Sequence, residues 1–338
     1  MLKTMKSYLT IPVLALSLLL MTACGGGGGG SDDTTPTGVS ITTSNAVLIA
    51  SKVIDSVSLV QDISDSVDLV TGVAIDSSGR DFTYSDLVLW LLAQNRQTAG
   101  LSGTETVTGV VIPETTYACE TGTYTVSGDV SNPDVPTVGD TLTYTFYDCA
   151  ISGIVFNGSM TFTITELSGS PSVSPYTLGV DIIMDNLSIS SGGLSETSDG
   201  DMGILLTEDE SGNEILTLSG NSFSATAGTQ YETLTSYRYE LSRDADGGYS
   251  IALNGTYGSD AIGGSVAFDT VTPFTGDTNV GDGNPTAGVL HIAAISNSSQ
   301  ERLTAQPDGS TVLIEVDANG DGIYEEVITT SWAALDSL

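Results

Sequence analysis

The chain has 338 residues, with 42 Asp and Glu against 8 Lys and Arg, a net charge of −34. So one-sided a balance excludes a basic surface for nucleic acid or anionic lipid, because acidic side chains cannot neutralise phosphate. A single His excludes a multi-His metal centre, and 40% hydrophobic content suffices for the core of one large or two small domains.

The first residues read as an address. Lys3 and Lys6 precede an apolar run from Leu9 to Met21 that is too short for a permanent membrane span, which predicts a signal-peptide core. Met21-Thr22-Ala23-Cys24 follows, then the glycines Gly25 to Gly30. This resembles the lipobox of bacterial lipoproteins, with Met21 where Leu is usual. The resemblance implies removal of residues 1–23, lipidation of Cys24 and, because Gly25 is not Asp, an outer-membrane location. Several acyl chains on one residue give stable anchoring where a single chain is marginal. Residues 24–38 then form a Gly-rich tether without apolar periodicity, with a reach of roughly 20 Å.

Residues 39–100 are predicted as a helical segment. Ala46, Ala50, Val53, Val57, Val60, Ile63, Val67 and Val70 recur at threes and fours, which predicts a helix from Asn45 to Thr71. Ser44 or Asn45 can cap its start and Gly72 its end. A second helix is predicted from Ser85 to Gln97, around the apolar run Leu87 to Ala93. Lys52 falls in the first helix as a solvated or paired side chain.

Residues 101–338 are predicted as an antiparallel β domain. Leu142, Tyr144 and Phe146 alternate with Thr141, Thr143 and Thr145, and Met160, Phe162 and Ile164 alternate with Thr161, Thr163 and Thr165. Tyr237, Tyr239 and Leu241 repeat the pattern, so one face is buried and one wet. Turns are expected at Gly128-Asp129, Gly192-Gly193, Ser211-Gly212-Asn213, Asp246-Gly247-Gly248, Asp308-Gly309 and Asn319 to Gly322. The fold class is therefore mainly β: a curved or barrel-like antiparallel meander of roughly ten to twelve strands with an N-terminal helical segment. A β-sandwich is the alternative. The Thr- and Ser-bearing outer face argues against a transmembrane barrel.

With Cys24 assigned to lipid, Cys119 and Cys149 remain in an exported chain and are expected to form a structural disulfide. The bond would close a loop worth about 3–4 kcal/mol on the chain-entropy model. Near the C-terminus, Asp317, Asn319 and Asp321 alternate before Gly322, a spacing that offers oxygen ligands to Ca²⁺. The loop is not a full EF-hand, because the twelfth position is Ile328; Glu325 or Glu326 is the available substitute. An ordinary hairpin turn explains the same residues. Asp277 to Gly283 is a looser acidic loop. His291 lies in an expected strand as a structural residue.

Phe268 to Phe274, Pro285 to Leu290, the Asp317 loop and Ser331 to Leu335 run in an order that resembles uncharacterised proteobacterial lipoproteins. That resemblance spans about residues 254–335 together with the lipobox, and implies no activity and no catalytic residues. No nucleophile elbow, zincin motif or phosphate loop occurs. Three functions remain: a lipid-anchored structural or interaction protein of the cell envelope, facing the periplasm or the surface; a small-ligand or glycan-binding module; and a carboxylate-dependent hydrolase. The first is the expectation, with no enzyme activity. The membrane, an envelope protein or a glycan would be the partner, and Ca²⁺ the one possible cofactor.

Overall fold

The structure is a computed structural model that describes residues 38–64, 110–131, 137–151, 153–170, 173–192, 194–281 and 283–338, with the side chains of the first segment described as far as Ser56. The signal peptide, the tether as far as Thr37, the first predicted helix beyond Ser64 and the second predicted helix lie outside the described residues. So does the lipidation residue Cys24.

Among the described residues the chain opens with helix α1 (Ala46–Ser64) and then runs through fourteen strands. These are β1 (Val110–Ala118), β2 (Thr121–Val130), β3 (Thr141–Ile151), β4 (Ile154–Ser170), β5 (Val173–Ser191), β6 (Leu194–Glu208) and β7 (Glu214–Ala227). They continue with β8 (Gln230–Arg243), β9 (Gly248–Ser259), β10 (Gly264–Asp277), β11 (Ala287–Ala294), β12 (Gln300–Ala305), β13 (Thr311–Asp317) and β14 (Glu326–Ser331). A single turn, α2 (Trp332–Leu335), ends the fold. All strands belong to one sheet in sequence order, so the expected antiparallel meander is the fold. Its edges are β1 and β14, which do not pair with each other, so the sheet is open. Pro113 and a register shift between Ile112 and Thr115 interrupt the β1 ladder, a usual way to blunt an edge.

The period-two pattern places one side chain in two on an inner face. Tyr144, Phe146, Met160, Ile182, Met202, Leu218, Tyr239, Val266, Leu290, Leu303 and Ile314 line it, all buried. Burial of such side chains is the main stabilising contribution, of order 1.5–3 kcal/mol each. On the wet face, threonine hydroxyls pair across β3 and β4, Thr141 with Thr163 at 3.2 Å and Thr143 with Thr161 at 2.9 Å.

Helix α1 lies on the inner face against β7, β9 and β13, and against α2. The turn before it is closed by the Thr42 carbonyl, which accepts Ala46 N–H at 3.0 Å, while Asn45 Oδ1 reaches back to accept Thr42 N–H at 2.8 Å. Ala46, Ile49, Ala50 and Val53 are fully buried, and no residue from Ala46 to Ser56 is exposed. Two polar contacts fix its position: Ile41 N–H donates to Ser299 Oγ at 2.7 Å, and Ser51 Oγ donates to the Leu335 carbonyl at 2.8 Å. Lys52 is paired, with Nζ 3.2 Å from Asp55.

Two expectations are corrected. The sheet has more strands than counted, and Gly128-Asp129 is not a turn but the end of β2. Gly128 is there for space: a Cβ would stand 2.1 Å from the Thr141 carbonyl oxygen of β3. The disulfide forms as expected, Cys119 to Cys149, with Cα atoms 5.4 Å apart. It ties the β1–β2 turn to β3.

A candidate metal loop and the carboxyls around it

Strand β13 ends at Asp317, and the chain turns through residues 318–325 before β14. Gly320 and Gly322 adopt positive φ, 76° and 85°, which lets so short a loop reverse. Asp317 organises it. Its Oδ1 accepts the N–H groups of Gly320 at 2.7 Å and Asp321 at 3.2 Å. Its Oδ2 accepts Gly322 N–H at 2.8 Å and Gln300 Nε2 at 2.8 Å. Hydrogen bonding to the charged form favours it. The Gln300 amide foremost, with the loop amides, therefore holds the Asp317 carboxyl below its ordinary value against the opposing effect of burial.

The loop gathers the residues expected from the sequence. Asp317, Asp321 and Glu325 each bring a ligand oxygen within 4.8 Å of the others. Asn319 sits among them, its Nδ2 donating to Glu325 at 2.6 Å and its Oδ1 accepting Asp321 N–H at 2.8 Å. Of the two substitutes for a terminal ligand, Glu325 joins the cluster. Glu326 begins β14, and Ile328 packs on the core. A hard cation at this loop would meet carboxylate oxygens of Asp321 and Glu325, while the Asp317 oxygens already accept four N–H donors.

A chain of side chains across the outer face supports the loop. His291 Nδ1 lies 3.2 Å from Asp269 and its Nε2 lies 2.8 Å from Gln300 Oε1, while the Gln300 amide reaches Asp317. Four consecutive strands, β10 to β13, are thus joined through the sole histidine. Arg302 pairs with Glu315 at 2.7 Å and stacks 4.8 Å from the Tyr324 ring, which pins the far side of the loop. Sequence reasoning left Gln300 and Arg302 unnoticed, because their role depends on register, Gln300 opposite Asp317 and Arg302 opposite Glu315. The looser acidic loop closes on itself, Asp277 accepting Asn279 N–H at 2.7 Å. Asp282 lies outside the described residues.

Next to Gln300, on the opposite face of β12, is a residue that no motif announced. Glu301 is fully buried between Ile292 of β11 and Val316 of β13, and among the described residues neither carboxylate oxygen has a hydrogen-bond partner. Burial pushes its carboxyl well above the ordinary value.

Comparison of the chain with models of known protein families, with curated proteins and with solved structures finds no match.

Proposed function

We propose that the chain is a lipid-anchored β domain of the cell envelope that acts as a structural or interaction surface. The observation that carries this reading is the packing of the inner face among the described residues. Helix α1 lies on it at β7, β9 and β13, with no exposed residue from Ala46 to Ser56. Among the described residues, the hollow lined by Phe223, Ala225, Glu232, Thr233, Leu234 and Tyr257 has no room for a water molecule. A small-molecule site needs a roomy pocket with a few convergent polar groups. The broad outer face, rich in Thr, Ser and Asp, is the surface that the described residues offer to a partner. The lipobox resemblance supplies the anchor, and the strong negative charge favours a partner that is basic or neutral. The Asp317 loop fits this setting as a structural Ca²⁺ clip at the C-terminal corner, supported by the three convergent carboxylates.

Fractionation of cells expressing the wild-type chain and Cys24→Ser tests the anchor. The wild type is expected in the outer-membrane fraction and Cys24→Ser in the soluble fraction. Equal partition of the two chains would overturn the lipid anchor. Proteolysis of intact cells then separates a surface domain, which is cut, from a periplasmic one, which survives until the outer membrane is broken.

A further inference from the structure

The two edges of the sheet are built differently. Strand β1 carries Pro113 and a register shift. Strand β14 has neither: Glu326 to Ser331 pair one for one with Val316 to Thr311 of β13. Among the described residues nothing pairs with the other side of β14. An edge of this kind presents a row of free N–H and C=O groups to an extended chain.

The ladder identifies those groups. Trp332 N–H donates to the Ser310 carbonyl at 3.2 Å, and this bond continues the β13–β14 register by one step. Antiparallel pairs alternate between those that exchange hydrogen bonds and those that do not. Thr330, Ile328 and Glu326 therefore turn their backbone groups to β13, while Val327 and Thr329 turn theirs away from the sheet. Both of the latter are exposed, Val327 at 59%. The alternation agrees one strand inward, where Gln306 N–H donates to the Thr311 carbonyl at 3.1 Å and so gives the odd-numbered residues of β13 to β12.

Side chains beside the edge define what fits it. Ile328 packs on the core, and Glu326, two residues before it on the same side of the strand, is exposed. Asp321 and Glu325 stand exposed just before β14, and Asp336 follows α2 just beyond it. Arg302, on β12, is already paired with Glu315. The edge is thus flanked by acid at both ends.

We propose that β14 is the docking edge for an extended basic segment of another envelope protein, which adds to the sheet as a further strand. The proposal rests on the interaction reading given above and supplies its place and partner chemistry. Main-chain bonds to Val327 and Thr329 give affinity, and side chains at alternate positions give specificity. A β-branched apolar residue would lie beside Ile328, with Lys or Arg beside Glu325 and Glu326. A second copy of the chain does not fit, since each copy carries a net charge of −34 and brings its own Glu326.

The probe is the labelled synthetic peptide Lys-Val-Thr-Val-Thr-Lys, titrated against the mature chain by fluorescence anisotropy. Its Glu-for-Lys counterpart and a fully N-methylated version run beside it. The basic peptide is expected to bind, more weakly as salt rises beyond about 0.1 M, and the other two are not. Thr329→Pro removes an N–H that faces outward, so the β13 ladder stays whole. It should weaken binding by about tenfold or more, the worth of one or two backbone hydrogen bonds. Equal binding to the wild type and Thr329→Pro would reduce the attraction to diffuse charge and overturn the edge. Should Thr329→Pro fail to fold, the N-methylated peptide decides with the protein unaltered, and its binding as well as the parent peptide would overturn the edge. Absence of binding by the basic peptide would overturn it too; with Cys24-dependent fractionation intact, that result removes the docking edge and leaves the anchor standing. Sedimentation checks the remaining occupant: a wild-type dimer that Thr329→Pro dissociates would make a second copy the partner and overturn the basic segment.

Discussion

Glu301 and Asp317 lie on adjacent strands, one register position apart, on opposite faces of the same sheet. Both are fully buried. On the outer face, Asp317 has four N–H donors and is held below its ordinary value; on the inner face, Glu301 has none among the described residues and is pushed well above its own. Neither side chain is accessible, but the surroundings differ: Asp317 lies just beneath its loop with donors around it, while Glu301 lies deep among apolar neighbours. A buried carboxyl is stabilised as the anion where backbone amides turn toward it, and driven to the neutral acid where a β ladder and apolar neighbours leave it alone. The outer corner uses its carboxylate to build a loop, while the inner face tolerates one at a cost.

Removing each carboxyl should break the comparison in opposite directions. Asp317→Ala is expected to have the larger effect, lowering the melting temperature by on the order of 5–10 °C, because four donors lose their acceptor together. Asp317→Asn, which keeps one acceptor oxygen, should lie between. Glu301→Leu is expected to stabilise the chain at neutral pH by about 2 kcal/mol, since it replaces an unpartnered acid with a side chain that suits its neighbours. A destabilised Glu301→Leu would mean that the carboxyl has a partner after all. The pH slopes should oppose one another too. The lowered Asp317 contributes stability above the ordinary carboxylate range and loses it as pH falls through its lowered value. The raised Glu301 is least costly in acid, so the gain from Glu301→Leu should grow as pH rises above 4.5, and chemical denaturation at several pH values measures it.

This contrast also marks where the sequence is legible. Leu142, Tyr144 and Phe146 announce a strand because every second residue enters the core, and the inner face bears that out residue by residue. Asp317, Asn319 and Asp321 announce a tight loop because local spacing is enough to bring them together. The Cys119–Cys149 bond is readable from cysteine arithmetic once Cys24 is set aside. Glu301 is hidden, because Gln300-Glu301-Arg302 reads as a solvated run and only register shows that the middle residue faces the core. Long strands such as β5, with 19 residues, are hidden by their own bulges, where a register shift interrupts the period-two pattern that would have revealed their length.

The smallest expected effect sharpens what the outer corner does with its charges. Asp317 is already saturated by donors, so a Ca²⁺ ion gathered by the loop would depend on Asp321 and Glu325 for its remaining carboxylate oxygens. Melting the mature chain in excess EDTA and then in millimolar Ca²⁺ should give a modest rise with the metal, about 1.4 kcal/mol at tenfold above the dissociation constant. Asp321→Ala combined with Glu325→Ala should abolish that rise while leaving the EDTA melting temperature little changed, because neither residue supplies the acceptors that close the loop onto Asp317. Asp317→Ala should instead lower both curves. If the wild type melts identically with and without Ca²⁺, the corner is a turn held by its own amides and by Gln300. Its likeness to a Ca²⁺ loop would then reflect shared backbone geometry: alternate oxygen-bearing side chains and two positive-φ glycines serve a tight reversal whether amides or a metal fill the centre.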